Sequence, residues 1–134
     1  SDAAFILVVE HDAAFQKLIK GKFFQIYPRS ILCTGTGYAD VCTRDFLCNL
    51  TRHLNIPMFG LFDCDPFGVS IYANFKYGSR GKYSISDTCV PSMQLMIIDH
   101  TLSESDNVHT QRLRDSDKRK IGWLENHDQI QTEE

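Results

Sequence analysis

No C-x-x-C pair, no excess of positive charge and no long apolar run occurs in this chain. Its longest uninterrupted apolar stretch, Ala3 to Val9, has seven residues, whereas a membrane span needs about twenty and a secretory signal needs a basic start ahead of its apolar segment. Neither fits that stretch. The five cysteines, at positions 33, 42, 48, 64 and 89, are odd in number and lack metal-ligand spacing. That argues against a disulfide framework and a structural zinc site, and predicts a reducing, intracellular setting. Fourteen Lys and Arg against seventeen Asp and Glu give a formal charge of -3, so the whole-molecule field does not draw in nucleic acid and any DNA affinity has to be local.

What is present is ordinary globular composition, with 43% hydrophobic, 11% aromatic and 23% charged residues over 134 positions. Wholesale disorder and collagen-like or low-complexity states are excluded. A chain of this length can bury about two-thirds of its unfolded surface as one domain. There is no internal repeat and no long linker, so residues 1–134 are expected to form a single domain. The first methionine is Met58, and a chain opening Ser-Asp-Ala-Ala is read as a piece excised from a longer protein.

Phe5 to Val9 is a continuous run rich in branched side chains that Glu10 ends with a charge, the pattern of a short strand buried on both faces. Asp12 is placed to cap a following helix, along which Ala14, Phe15, Leu18, Ile19 and Phe23 form one stripe that fades near Tyr27-Pro28. Ser30 to Thr34 predicts a second strand, after which Gly35-Thr36-Gly37 turns into a helix marked by Leu47, Leu50 and Leu54. Pro57 to Phe62 is a third strand. Asp63-Cys64-Asp65-Pro66 stops it, because proline lacks an amide donor and disfavours helical geometry in the residue before it. Gly68 to Tyr77 reads as a third helix ending in a Gly78-Ser79-Arg80-Gly81 turn, Met93 to Ile98 as a fourth strand, and Ser116 to about Asn126 as a final helix with a thin apolar stripe. The alternation predicts an α/β fold, an open parallel sheet of about four strands flanked by helices on both faces with right-handed crossovers.

Sites in such sheets lie off the carboxyl ends of the strands where strand order reverses, commonly between the first and third strands. Glu10 ends the first strand and Asp63 the third. In extended chain, residues two apart point to one side, so Asp63 and Asp65 can aim at a spot that Glu10 also reaches. Two carboxylates about 5 Å apart at an effective dielectric near 20 repel by roughly 3 kcal/mol, a cost that a divalent cation reverses in sign. Oxygen ligation without a nearby His or Cys pair favours Mg²⁺ over Zn²⁺, and Mg²⁺ held by a few carboxylates completes its shell with water and substrate phosphate. Taken alone, D-x-D is also what a turn with a helix cap looks like, with Asp63 capping the next helix and Glu10 facing solvent.

The strings ILVVEHDAAFQKL, CTGTGYADVCTRDFL and NIPMFGLFDCDPFGVSIYANFKYGS resemble, in order and spacing, the topoisomerase-primase (Toprim) domain of the DNA topoisomerase VI A subunit, and in particular its eukaryotic relative, the meiotic transesterase that makes double-strand breaks. The resemblance covers about Phe5 to Ser79; beyond Gly81 only VPSMQ and SDKRKI suggest the family's tail. It implies a compact, Rossmann-like Toprim fold in which Glu10, Asp63 and Asp65 bind Mg²⁺, with Mn²⁺ as an alternative. It further implies a type IIB-like topoisomerase that cleaves DNA through a tyrosine on a preceding winged-helix domain, acting at the partner subunit's metal site. The tyrosines here, at 27, 38, 72, 77 and 83, lie within or beside the Toprim-like region, so no catalytic nucleophile is assigned in this chain, which is expected to bind metal without cutting DNA. The implied partners are double-stranded DNA, a second copy in a homodimer, and accessory recombination or topoisomerase B-type subunits. The implied location is the nucleus, on chromosomes.

The family commonly has lysine where this chain has His11, a second lysine where it has Thr36, and proline where it has Ala39. Two fixed positive charges near the phosphate path are therefore missing or, at His11, pH-dependent. His11 is read as a cap or surface residue, or as a weak phosphate contact when protonated. The Gly35-Thr36-Gly37 loop opens a helix whose first amides could hold a phosphate. Lys76, Arg80 and Lys82, interleaved with Tyr77 and Tyr83, form the best local basic patch for a DNA backbone, and Arg44 aligns with a family threonine-arginine pair facing the same groove. Arg112 to Lys120 is balanced by Asp115 and Asp117 and reads as a solvated helix start. Two rivals remain. A phosphoacceptor receiver domain shares the outline VVEHD and LFDCDP but requires a lysine-proline after a fifth strand. A non-catalytic scaffold would keep the fold as a docking surface.

Overall fold

The computed structural model describes residues 2–78, 88–96 and 112–126. The first strand, β1 (Phe5–Val9), is followed by helix α1 (Asp12–Lys20), a single turn α2 (Phe23–Ile26), strand β2 (Ser30–Thr34) and helix α3 (Val41–Leu54). Strand β3 (Met58–Leu61), helix α4 (Pro66–Tyr77), strand β4 (Gln94–Met96) and helix α5 (Asp115–Glu125) complete the described order. All pairings are parallel and the strand order is β2-β1-β3-β4. Val9 lies beside Thr34 on one side and Leu61 on the other, so the strand order reverses at β1.

Alternation along β1 explains why its run is apolar throughout. Ile6 and Val8 enter a core layer with Leu47 and Cys48 of α3, and Ile71 and Phe75 of α4. Leu7 and Val9 enter the opposite layer, against Phe23 and the Ala14, Phe15 and Leu18 stripe of α1. Each fully buried Ile, Leu, Val or Phe among these contributes about 1.5–3 kcal/mol, so the two layers favour this register of the strand.

The expected first helix is broken: Gly21 closes α1 and Lys22, at φ 63°, takes the left-handed conformation before α2. His11, not Asp12, occupies the N-cap position, and Asp12 is the first helical residue, where its charge suits the positive helix end. Helix α4 begins two residues earlier than expected, because Pro66 fits the first helical turn, where an amide has no helical partner anyway. The fourth strand is seen at Gln94–Met96; residues 97 and 98 of the expected strand, and the turn beyond Gly78, lie outside the described residues.

Candidate metal centre

Two strand ends make this site. Because Val9 and Leu61 are lateral neighbours, the chain leaves β1 and β3 at the same rim of the sheet. The Glu10 amide donates to the Leu61 carbonyl (3.2 Å), extending the pairing by one residue, and the Asp63 amide donates to Glu10 Oε2 (2.8 Å). The Glu10 side chain is only 7% exposed, so it is pinned to the neighbouring strand end rather than facing solvent. Its other oxygen, Oε1, lies 3.2 Å from His11 Nε2, which in turn lies 3.3 Å from Asp63 Oδ2. One ligand-type atom from each of Glu10, His11 and Asp63 falls within 4.8 Å of the others. Two carboxylates and an imidazole at one point, with Asp63 61% exposed to incoming groups, are a donor set that fits a divalent ion with positions left open for water or phosphate.

Asp65 has a different local task. It is the N-cap of α4, and its Oδ1 accepts from the Phe67 and Gly68 amides at 2.9 and 2.8 Å, satisfying donors that otherwise lack partners in the first helical turn. It stands outside the three-residue group. Gly68 matters for the same reason of closeness: a Cβ there would run into the Asp63 carbonyl oxygen, so only glycine lets α4 close on the backbone that carries Asp63.

The cluster opens into a cleft of about 440 Å³ lined also by Ala14, Lys17, Phe62, Val69 and Met96. Lys17 and the place of His11 in the cluster were not evident from the sequence. Residues 11, 14 and 17 share one side of α1 by their spacing of three, which is the signal that could have found them. The glycine loop is organised differently from the expected phosphate cradle. The Gly37 amide donates to the Glu10 carbonyl (2.8 Å), and the Thr43 amide, in the first turn of α3, donates to the Asp40 carboxylate (2.6 Å). Those amides already hold the loop to the rim and cap the helix. The Asp40 carboxyl is held below its ordinary range, first by the Thr43 amide bond.

Of the expected DNA-contacting residues, Arg44 and Lys76 are among those described. Arg44 is 4% exposed: α3 turns positions 44, 47 and 48 to the interior together, so Arg44 does not present its charge at the surface. Lys76, at the end of α4, lies over the Tyr72 and Tyr77 rings at 5.6 and 5.4 Å. Arg80 and Lys82 lie outside the described residues. Lys120 of α5 sits 4.1 Å over the Trp123 ring and near the Tyr38 and Phe67 rings, tying α5 to the loop after β2 and the start of α4. Tyr38 and Tyr72 use their hydroxyls internally, on Ser70 Oγ and the Met93 carbonyl. All five cysteines are thiols, and among the described residues no helix is long and apolar enough to cross a membrane.

Residues 5–134 match the family model for the Toprim domain of the topoisomerase 6 A subunit and Spo11. Among similar proteins, the meiotic recombination protein spo-11 of Caenorhabditis elegans is 46% identical over 84 residues, 63% of this chain and 20% of that protein. The meiotic recombination protein SPO11-1 of Arabidopsis thaliana is 42% identical over 93 residues, 69% of this chain and 25% of that protein. The A subunit of the type 2 DNA topoisomerase 6 of Aeropyrum pernix is 44% identical over 78 residues, 58% of this chain and 20% of that protein. The matched region thus spans about a fifth to a quarter of these curated relatives' lengths. The agreement favours neither the receiver nor the scaffold alternative. With its four-stranded parallel sheet and acids at adjoining strand ends, the chain belongs to the Toprim family of Spo11 and the topoisomerase 6 A subunit.

Proposed function

We propose that residues 1–134 are the metal-binding Toprim unit of a protein that breaks both strands of DNA by tyrosine transesterification to initiate meiotic recombination. The names of the relatives support that purpose, and the observation that carries the site is the convergence of Glu10 and Asp63 from adjacent strand ends. Glu10 and Asp63 hold a divalent ion, Mg²⁺ or Mn²⁺, and Asp65 is the outer carboxylate of the same rim. When bound, the ion offsets charge on the scissile phosphate and the 3′ oxygen. Glu10, fixed by the Asp63 amide, sets the position of the site relative to the sheet; Asp63, exposed, faces the incoming backbone; Lys17 lines the approach and offers a phosphate contact. The tyrosine nucleophile belongs to a winged-helix domain of the whole protein. That protein works as a homodimer on double-stranded DNA, with accessory recombination or topoisomerase B-type subunits, on chromosomes in the nucleus. The isolated domain binds the ion without cutting DNA. Lys76, with Arg80 and Lys82, tracks the DNA backbone.

Mg²⁺ titration of the 134-residue chain, followed by backbone NMR, tests the site. Saturable shifts at Glu10 and Asp63 that vanish in E10Q and D63N are expected. An absence of saturable shifts at both positions in the wild type would overturn the assignment.

A further inference from the structure

We propose that His11 is an inner-sphere nitrogen ligand of the metal, so that this site binds Mn²⁺ and later first-row divalent ions in preference to Mg²⁺. His11 ligation rests on the reading that Glu10 and Asp63 hold a divalent ion. Its own support is geometric. Ligands at a metal distance of about 2.1 Å are separated by about 3.0 Å at a right angle and about 3.4 Å at a tetrahedral angle. His11 Nε2 lies 3.2 Å from Glu10 Oε1 and 3.3 Å from Asp63 Oδ2, between those two values on both sides. In the tautomer whose Nε2 carries no hydrogen, that nitrogen offers its lone pair, and one ion among the three atoms would serve all of them.

The backbone explains why the ring can stay there. His11 holds the N-cap position of α1 in extended conformation without using its side chain as a cap, while its carbonyl accepts from the Phe15 amide (3.1 Å). The ring is therefore anchored at a helix start and left available. Asp65, the third acid expected in the set, is engaged at Oδ1 by two amides and lies outside the cluster. The three-atom set is thus one nitrogen and two oxygens. Imidazole adds little for the hard Mg²⁺ ion and more for Mn²⁺, Co²⁺ and Zn²⁺, along the usual order of affinities. A lysine at this position could only repel or hydrogen-bond, never ligate, while protonated.

The test uses Mn²⁺ and Mg²⁺ as probes on the whole chain at one pH above the ordinary imidazole range. Pulsed electron paramagnetic resonance of the wild-type Mn²⁺ complex is expected to show coupling to a directly bound nitrogen, a readout that needs no variant. In calorimetry, H11Q is expected to lose about tenfold in Mn²⁺ affinity and to change Mg²⁺ affinity by less than about threefold. Mn²⁺ bound without nitrogen coupling, together with an unchanged Mn²⁺-to-Mg²⁺ ratio in H11Q, would overturn His11 ligation while leaving Glu10 and Asp63 as the metal holders. Failure of both ions to bind the wild type would instead overturn the metal site itself.

Discussion

Replacing Asp65 by alanine separates the two tasks that one carboxylate at this rim could perform. Its Oδ1 accepts from the Phe67 and Gly68 amides, and loss of an N-cap acceptor costs about 1 kcal/mol, within a range of 0.5–2. For a domain of this size that corresponds to a fall in melting temperature of about 3–5 °C. The effect is local to the start of α4, whose Ile71 and Phe75 remain buried in the core, so the domain should still fold cooperatively. Asparagine keeps the acceptor and is nearly as good a cap, so D65N should melt within about 1 °C of wild type. Circular dichroism during thermal and urea unfolding of the three proteins measures this directly. If D65A melts with wild type, or D65N falls as far as D65A, then the paired amide bonds do not support α4. In the same samples, D65N should weaken Mg²⁺ binding less than D63N, because Asp63 belongs to the three-residue cluster and Asp65 does not.

The close approach of α4 to the Asp63 backbone gives a second expectation: G68A should destabilise the domain by about 1–3 kcal/mol, the usual cost of overpacking, seen in urea unfolding, and an unchanged midpoint would show that the Asp63 carbonyl yields easily. Asp40 caps α3 with a lowered pKa, caused chiefly by the Thr43 amide. A carboxyl lowered in the folded state contributes stability that is fully present above the unfolded-chain carboxyl range and is lost as pH falls through the lowered folded value. D40N, which retains a capping oxygen, should therefore flatten the acid limb of a stability-against-pH curve; an unaltered limb would remove Asp40 as a contributor. Burial raises the Cys33 thiol above its ordinary value, while Cys42 and Cys64 are exposed. Mass spectrometry after brief alkylation should find Cys42 and Cys64 modified ahead of Cys33, and early modification of Cys33 would contradict its burial.

Much of the architecture was legible because it is written in short-range pattern. The Phe5–Val9 run could only be satisfied by burial on two faces, and the Ala14, Phe15 and Leu18 spacing belongs to a helix lying against it. The break between α1 and α2 was not legible, since the apolar stripe continues through Phe23 while the backbone turns at Gly21 and Lys22. For Arg44, the motif likeness suggested a DNA contact, but helix phase places it with Leu47 and Cys48 in the interior. The glycine loop illustrates a different limit: composition permits a phosphate cradle, yet the Gly37 and Thr43 amides are taken up by the Glu10 carbonyl and the Asp40 side chain.

From the order of residues alone came the strand-helix alternation, the family likeness and the placing of acids at the ends of the first and third strands, because each depends on neighbours within a few positions. Only the folded sheet decided which side chains share a point. Pairing of β1 with β3 carries Glu10 to the Asp63 amide across 53 residues, the start of α1 sets the His11 ring between their carboxylates, and the start of α4 claims an oxygen of Asp65. Those outcomes follow from register and helix phase, which are settled by burial of the whole core and not by any local string.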